Sequence, residues 1–226
     1  MRIVRMILGD MKIQAKCGFY LLYGILSVIY LCIISALPES VNEKIAIILI
    51  FSDPGAMGLF FMGAIILLEK SQRVTFFYAV SSVRPGEYVL SKVVSLAIIG
   101  EIVAVILAFA AKMDHLGSVM IGTLFASIIF TLCGLIVATK ISSINQFVLG
   151  TTPIEIIGFV PAIAYLFGYQ PKGSEWYPFN QCIDIILGNE ISLLEMVEMI
   201  LFIFCLALIA NRCVKSMFRN VGGVKL

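Results

Sequence analysis

The residues of this chain best suited to chemistry are three carboxylic acids that interrupt long apolar segments. Asp53, Glu101 and Glu155 stand in the runs FSDPG, IIGEIVA and TTPIEII. An ionisable group inside a bilayer is costly, so it faces protein or a water-filled cavity. Each acid could therefore line a substrate or proton pathway, or it could be structural. For Asp53 the structural alternative is a helix cap near the outer surface.

Little else in the sequence predicts an enzyme. The single histidine is His115, and the sequence contains no HExxH motif, nucleophile elbow, paired carboxylates or GxxxxGK[ST] phosphate loop. The six cysteines show no CxxC or Cys/His spacing. We therefore expect no catalytic residue, no metal site and no cofactor on this chain. The net charge of +2 is too small to suggest a nucleic-acid partner.

The elements that position these acids are apolar blocks long enough to span a membrane. The chain is 61% hydrophobic and only 13% charged, with a mean hydropathy of +1.05. A soluble domain has about a quarter of its residues charged. The sequence therefore predicts an all-α, multi-pass protein in the lipid bilayer. Six blocks match the length of a bilayer-spanning helix, and we place them at 18–37, 54–68, 89–111, 117–138, 147–168 and 191–210.

The segments around the spans have distinct expected roles. In residues 1–17 the apolar residues recur at helical spacing and the basic residues fall mostly at other positions, which predicts an interfacial helix; a flexible basic N-terminus is the alternative. The second span is expected to begin at Pro54 with Ser52 or Asp53 as its N-cap, after a short element over 45–51. We assign 69–88 to a cytoplasmic loop, 169–190 to an external re-entrant segment and 211–226 to a cytoplasmic tail.

The distribution of cations predicts the orientation. Thirteen of the 16 Lys and Arg residues fall in the segments 1–17, 69–92, 139–146 and 211–226, which six spans place on one face. Cytoplasmic loops are enriched in Lys and Arg. Both termini are therefore expected in the cytoplasm, and we expect the plasma membrane of a bacterial cell.

The 69–88 loop carries an aromatic triplet, Phe76, Phe77 and Tyr78, in a stretch with helical character. Aromatic residues exposed at this position are expected to contact another surface, because large exposed apolar patches usually mark interaction sites. The membrane interface and a cytosolic partner protein could each provide that surface.

Four stretches of the sequence stand out by their motifs. They are DPGAMGLFFMGAIILLEK, from Asp53 to Lys70, VSSVRPGEYVLSK, from Val80 to Lys92, and the shorter Val160-Pro161 and Tyr177-Pro178-Phe179. These stretches resemble ABC-2 type exporter permeases, especially the small six-span branch of drug and fluoroquinolone exporters. The first is similar to the second span of that branch and its Glu-Lys end, and the second to its return into the third span. The last two are similar to its fifth span and its external segment.

The resemblance implies a half-transporter that works with a separate ABC ATPase, which would hold ATP and Mg²⁺. A second permease copy, identical or paralogous, would complete the transporter, and the cargo would be lipophilic or amphipathic. The loop would couple the two proteins through Glu69, Lys70, Arg73, Phe76, Phe77, Tyr78 and Arg84. The cargo pathway would involve Asp53, Glu101 and Glu155. Gly58 and Gly63 would permit close helix packing at the interface of the two permeases, which would form the cargo route.

Two other classes of protein fit the same architecture. An ATPase-independent transporter or channel would be expected to show inverted repeats and paired broken helices, and the two halves show no convincing repeat. A non-transporting membrane protein, such as an immunity protein or a scaffold, also matches the predicted spans.

Overall fold

The computed structural model describes residues 2–81 and 83–221, without the side chains of residues 39, 40, 220 and 221. Ser82 of the predicted coupling loop and residues 222–226 of the predicted tail lie outside the described residues. Helices make up 84% of the structure, and the described residues contain no strand. The all-α prediction is therefore confirmed.

Ten α-helices and one 3-10 turn follow each other along the described chain. The helices are α1 (Arg2–Lys16), α2 (Phe19–Ala36), α3 (Glu39–Ser52), α4 (Met57–Ser71), α5 (Val74–Val80), α6 (Pro85–Ala110), α7 (Leu116–Lys140), α8 (Ile144–Leu166), α9 (Pro178–Ile186) and α10 (Leu193–Val221). The 3-10 turn covers Ser174–Trp176, just before α9.

Among the described residues, six helical segments are long and apolar enough to cross a membrane, as the sequence predicts. They are α2, the combined α3–α4 segment Val41–Ser71, and α6, α7, α8 and α10. The shortest, α2, has 18 residues. At about 1.5 Å per residue, this length approaches the thickness of the hydrocarbon core.

The second spanning segment differs from its prediction. It begins well before Pro54, because α3 is a 14-residue helix whose Ile47, Ile50 and Phe51 are buried. Residues 53–56 then form a turn, and α4 begins at Met57 with Ala56 as its N-cap. Proline prevents a regular helical hydrogen bond at this point, and the Gly55 N–H instead donates to the Ile50 carbonyl at 2.8 Å. The expected capping of α4 by Ser52 or Asp53 is therefore wrong.

The core lies between α4, α6 and α7, and three other helices stand at the periphery. The most apolar windows of α3–α4, α6 and α7 are 61%, 56% and 61% buried, whereas those of α2, α8 and α10 are 22%, 22% and 11% buried. Many apolar side chains of α2, α8 and α10 therefore point away from the chain. This arrangement suits helices that face lipid or another protein.

Contacts between distant residues define the two ends of the bundle. Arg2 at the start of α1 forms an ion pair with Glu87 at the start of α6, and Tyr78 of α5 stacks on Phe218 near the end of α10. Both ends of the described chain therefore lie at the α5 end of the bundle. Here α10 continues as helix to Val221, so much of the predicted tail is helical. At the opposite end α9 packs against Gly122 of α7.

Candidate functional site at the α5 end of the bundle

The turn from α4 to α6 presents a short helix at the end of the bundle. Arg73 adopts a left-handed conformation (φ 58°) and starts the seven-residue helix α5. Arg84 is extended, as expected before a proline, and Pro85 occupies the first position of α6. The Glu87 carboxylate accepts the Arg84 backbone N–H at 2.8 Å, which caps α6. The starts of α5 and of α6 are thus fixed by local backbone geometry.

The structure divides the predicted aromatic triplet between an outer and an inner face of α5. Phe76, Phe77 and Val80 are 44%, 68% and 69% exposed, and we call these three residues the α5 face. Tyr78 instead lies half-buried against Tyr88 of α6 and Phe218 of α10, at ring-centroid distances of 5.3 and 6.2 Å. Burial, assisted by the charge of Glu69, raises the pKa of Tyr78, so its hydroxyl stays protonated.

Beneath α5 lies a buried ion network of Asp10, Glu69, Tyr88, Ser91 and Lys92. The Lys92 ammonium is 1% exposed and lies between the carboxylates of Asp10, at 2.6 Å, and Glu69. The Tyr88 hydroxyl donates to Glu69 at 2.5 Å, and the Ser91 hydroxyl donates to Asp10. Buried charges are tolerated when they are paired and hydrogen-bonded, and each of these has two partners. The network joins α1, α4 and α6.

Polar contacts fix α1 against α6 along much of its length. Arg2 pairs with Glu87, Asp10 with Ser91 and Lys92, and Gln14 donates to Ser95 at 2.9 Å. Val4 and Leu8 point outward from the same helix. The described part of the predicted segment is thus a helix over Arg2–Lys16 whose buried face is polar, and its interfacial location stays a prediction. The outward apolar residues are free to contact lipid.

Lys70 caps a neighbouring helix rather than facing outward with Phe76 and Phe77. Its ammonium donates to the carbonyls of Ala138, Thr139 and Ile141 at 3.1, 3.2 and 2.7 Å. These acceptors lie at the C-terminal end of α7, where the helix leaves carbonyls unpaired and its dipole favours a cation. The adjacent residues Glu69 and Lys70 thus join α4 to α6 and to α7, respectively.

We expect Lys70→Met to lower the free energy of unfolding by about 1–2 kcal/mol, because the last carbonyls of α7 lose a charged donor. Thermal unfolding in mild detergent, followed by circular dichroism, would measure the loss. Lys140→Met is the matched control, since Lys140 is exposed in the last turn of the same helix. Equal melting temperatures for the two variants would contradict the capping role.

Of the other coupling residues, Arg73 and Arg84 are exposed at the α5 end. Arg84 lines a surface groove together with Lys215 of α10. The predicted coupling set therefore consists of an exposed part, formed by Arg73, Phe76, Phe77 and Arg84, and a supporting part. The supporting residues are Glu69, Lys70 and Tyr78.

The three acids of the apolar segments lie in different surroundings. Asp53 stands in the turn between α3 and α4, where its carboxylate accepts hydrogen bonds from Tyr30 at 2.8 Å and Tyr23 at 3.4 Å. Both carboxylate oxygens of Glu101 on α6 are buried and have no hydrogen-bond partner among the described residues. Glu155 is partly exposed on α8. No hydrogen bond links these acids to one another in the described structure.

Gly58 and Gly63 lie at close helix contacts within the chain, rather than at the predicted interface between two permeases. A Cβ atom at Gly58 would lie 1.8 Å from the Thr131 hydroxyl of α7. A Cβ atom at Gly63 would lie 2.4 Å from the Phe147 ring of α8. The two glycines therefore allow α4 to pack inside the bundle and do not face an open surface.

Of the five network residues, the sequence prediction named only Glu69 as a site residue. It missed Asp10, Tyr88 and Ser91, and it assigned Lys92 only to the cationic loop. Two signals were available. Asp10 is the only acid among the first 38 residues, and Lys92 is followed by an apolar stretch that continues the helix. An isolated acid in a basic segment and a lysine inside a spanning helix both suggest a buried partner.

Comparison with known proteins adds no identification. No protein-family model matches the chain, and no significant match occurs among curated proteins. The resemblance to ABC-2 permeases stays a prediction based on the residues quoted above.

Proposed function

We propose that this chain is the membrane-spanning permease subunit of an ABC-2 type exporter driven by a separate ATPase. Its cargo would be a lipophilic or amphipathic small molecule, peptide or lipid. The observation that carries the proposal is the exposed α5 face, supported from beneath by the buried ion network. Exposed aromatic residues on a rigid support are typical of surfaces that a partner protein binds.

The connections of α5 support this role. Tyr78 packs on α6 and α10, and α5 follows α4 after only Gln72 and Arg73. Glu69 and Lys70, at the end of α4, bind α6 and α7. A displacement of α5 by a partner would therefore act on four spanning segments at once. Interfaces and packed cores of this kind switch between discrete arrangements, which suits alternating access.

The proposed orientation of the chain in the membrane is based on the distribution of its cationic residues. Arg73, Arg84, Lys215 and Arg219 lie at or beside the α5 end of the bundle, and by the positive-inside rule this clustering supports a cytoplasmic location for this end. The cytoplasm is where an ABC ATPase holds ATP and Mg²⁺. The outward faces of α2 and α8 are available for a second permease copy and for lipid.

The three intramembrane acids have different proposed roles in the cargo pathway. Glu101 is the acid best suited to meet a polar group of the cargo, because both of its oxygens lack partners among the described residues. Asp53 has two tyrosine partners and serves to hold the α3–α4 turn. Glu155 on the outward-facing helix α8 lies where a second copy or the cargo could reach it.

An ATPase-independent transporter is the second candidate, and one observation favours it. The second span is broken at residues 53–56, with an acid at the break. Secondary transporters place their substrate and ion sites at such discontinuous helices. The fifth span, α8, carries two prolines but remains a continuous helix.

A pull-down with the candidate ATPase tests the proposal. We expect the wild-type chain in mild detergent to retain the ATPase. The double variant Phe76→Ser/Phe77→Ser should bind the ATPase at least about ten-fold more weakly, because two exposed aromatic anchors are removed. Tyr78 is left unchanged, since it belongs to the packed interior. Tyr169→Ser is the control, with an exposed aromatic residue at the opposite end of the bundle.

Failure of folded wild type to bind any ATPase would favour the second candidate. Equal binding by wild type and the double variant would contradict coupling through the α5 face.

A further inference from the structure

A groove lies at the end of the bundle opposite α5, between the end of α8 and the segment that leads to α9. It measures about 550 Å³. Its apolar walls are formed by Val160, Pro161, Ala164, Tyr169, Pro171 and Tyr177. Small-molecule sites typically measure about 300–1,000 Å³ and have mostly apolar walls with a few polar groups. The groove fits that description.

One residue that lines the groove, Asn180, has a buried polar atom without a partner. Asn180 at the start of α9 is 2% exposed, and its side-chain nitrogen donates to the Ser174 carbonyl at 2.9 Å. Because this bond fixes the nitrogen, the amide oxygen is left as an acceptor, and it has no hydrogen-bond partner in the described structure. A buried acceptor without a partner is costly, so the site favours a ligand that supplies an N–H or O–H donor.

The charge of the groove comes from a single residue. Among the residues that line the groove, all of them described, Lys172 is the only charged one. Its side chain is exposed, and no ion pair or hydrogen bond to it occurs among the described residues. A ligand with a negative group near this ammonium would gain a charge-assisted contact.

We propose that this groove binds an amphiphile that combines an apolar chain, an amide N–H and a carboxylate, as an N-acyl amino acid does. The chain would lie on the tyrosine and proline walls, the N–H would donate to Asn180, and the carboxylate would face Lys172. A simple fatty acid leaves the Asn180 oxygen unpaired, and a neutral amphiphile leaves Lys172 unpaired. Binding at this groove does not depend on the proposed transport function.

The only tryptophan of the chain reports on this site. Trp176 belongs to the 3-10 turn whose Ser174 lines the groove, and it directly precedes Tyr177. We suggest measuring quenching of Trp176 fluorescence by N-(11-bromoundecanoyl)glycine, with the full chain in nanodiscs of zwitterionic lipid. We expect saturable quenching. The corresponding glycolate ester, which lacks the N–H, should bind about five-fold more weakly because it leaves Asn180 unpaired.

Two protein variants separate the groove from the bilayer. Ala164→Phe fills the groove and should weaken binding at least about ten-fold by excluding the acyl chain. Ile157→Phe is its matched control, because the Ile157 side chain is exposed on the same helix outside the groove. Lys172→Gln should remove the preference for the carboxylate over its methyl ester.

Quenching that rises without saturation and is equal in wild type and Ala164→Phe would mean membrane partitioning only and would overturn the proposal. Equal affinity for the amide and the ester would overturn the role of Asn180. Because purified chain without an ATPase is used, failure here is distinct from failure of the coupling experiment.

Discussion

Lys92→Met is expected to lower the free energy of unfolding by about 3–5 kcal/mol, the range found when one partner of a buried ion pair is removed. The change leaves the carboxylates of Asp10 and Glu69 buried beside each other without the ammonium that lies between them. Methionine is unbranched like lysine and only one heavy atom shorter, so it fills most of the same space. The loss would therefore report mainly charge and hydrogen bonding rather than a cavity. Thermal and denaturant unfolding in detergent would measure it.

Lys12→Met provides the control, because Lys12 is exposed on α1, a short distance from Asp10. It should change the free energy of unfolding by less than about 0.5 kcal/mol. The triple variant Lys92→Met/Asp10→Asn/Glu69→Gln should recover much of the stability lost by Lys92→Met, since no buried charge remains unpaired. If Lys92→Met unfolds like Lys12→Met, or if the triple variant recovers nothing, the network does not stabilise the fold in this way.

The same network explains what sequence reasoning could and could not predict. The number of spans followed from apolar length alone, since a block of about 20 apolar residues is the main requirement for crossing a bilayer. The position of Glu69 at the end of α4 also followed from the sequence. Its pairing with Lys92 did not, because nothing in the linear order indicates which charged residues meet when α4 and α6 pack together. Long-range pairing is a property of the packed helices.

The second span illustrates a different limit of prediction from sequence. A proline was expected to set the start of a helix, since it lacks an N–H and suits the first turn. Here packing outweighed that preference, because Ile47, Ile50 and Phe51 bury α3 in the same bundle. Asp53 consequently lies inside the span, where two tyrosines of α2 satisfy its carboxylate. Both tyrosines were visible in the sequence, but their facing toward Asp53 depends on how α2 packs.

The α5 face shows how surface and interior can be confused in a short motif. Phe76, Phe77 and Tyr78 are consecutive, and a helix of seven residues cannot turn all three outward when one side packs on the bundle. The contacts of Tyr78 with Tyr88 and Phe218 decide which residue turns inward. Phe218 lies 140 positions after Tyr78 in the sequence. Only the folded structure therefore shows that Phe76 and Phe77 are exposed anchors and that Tyr78 supports them from the interior.

Gly58→Ala is expected to destabilise the protein by about 3 kcal/mol or more, at the upper end for overpacking in a closed core. The new Cβ would lie 1.8 Å from the Thr131 hydroxyl, 2.5 Å from its Cβ and 2.6 Å from its Cα. Side-chain rotation could relieve only the first of these contacts. The backbones of α4 and α7 would therefore have to separate, which disturbs the most buried part of the bundle. Unfolding in detergent and the yield of folded protein would both reveal the effect.

Gly24→Ala is the matched control, because a Cβ there meets nothing within 4 Å on the outward-facing helix α2. It should be neutral or stabilising by up to about 1 kcal/mol, since alanine is the better helix former. Gly63→Ala separates the two kinds of contact further. Its three closest atoms all belong to the Phe147 ring, so its cost should nearly vanish in a Phe147→Ala background. The cost of Gly58→Ala should persist in a Thr131→Ala background, because the Thr131 backbone remains in place. If Thr131→Ala rescued Gly58→Ala fully, the close approach of α4 and α7 would not depend on their backbones.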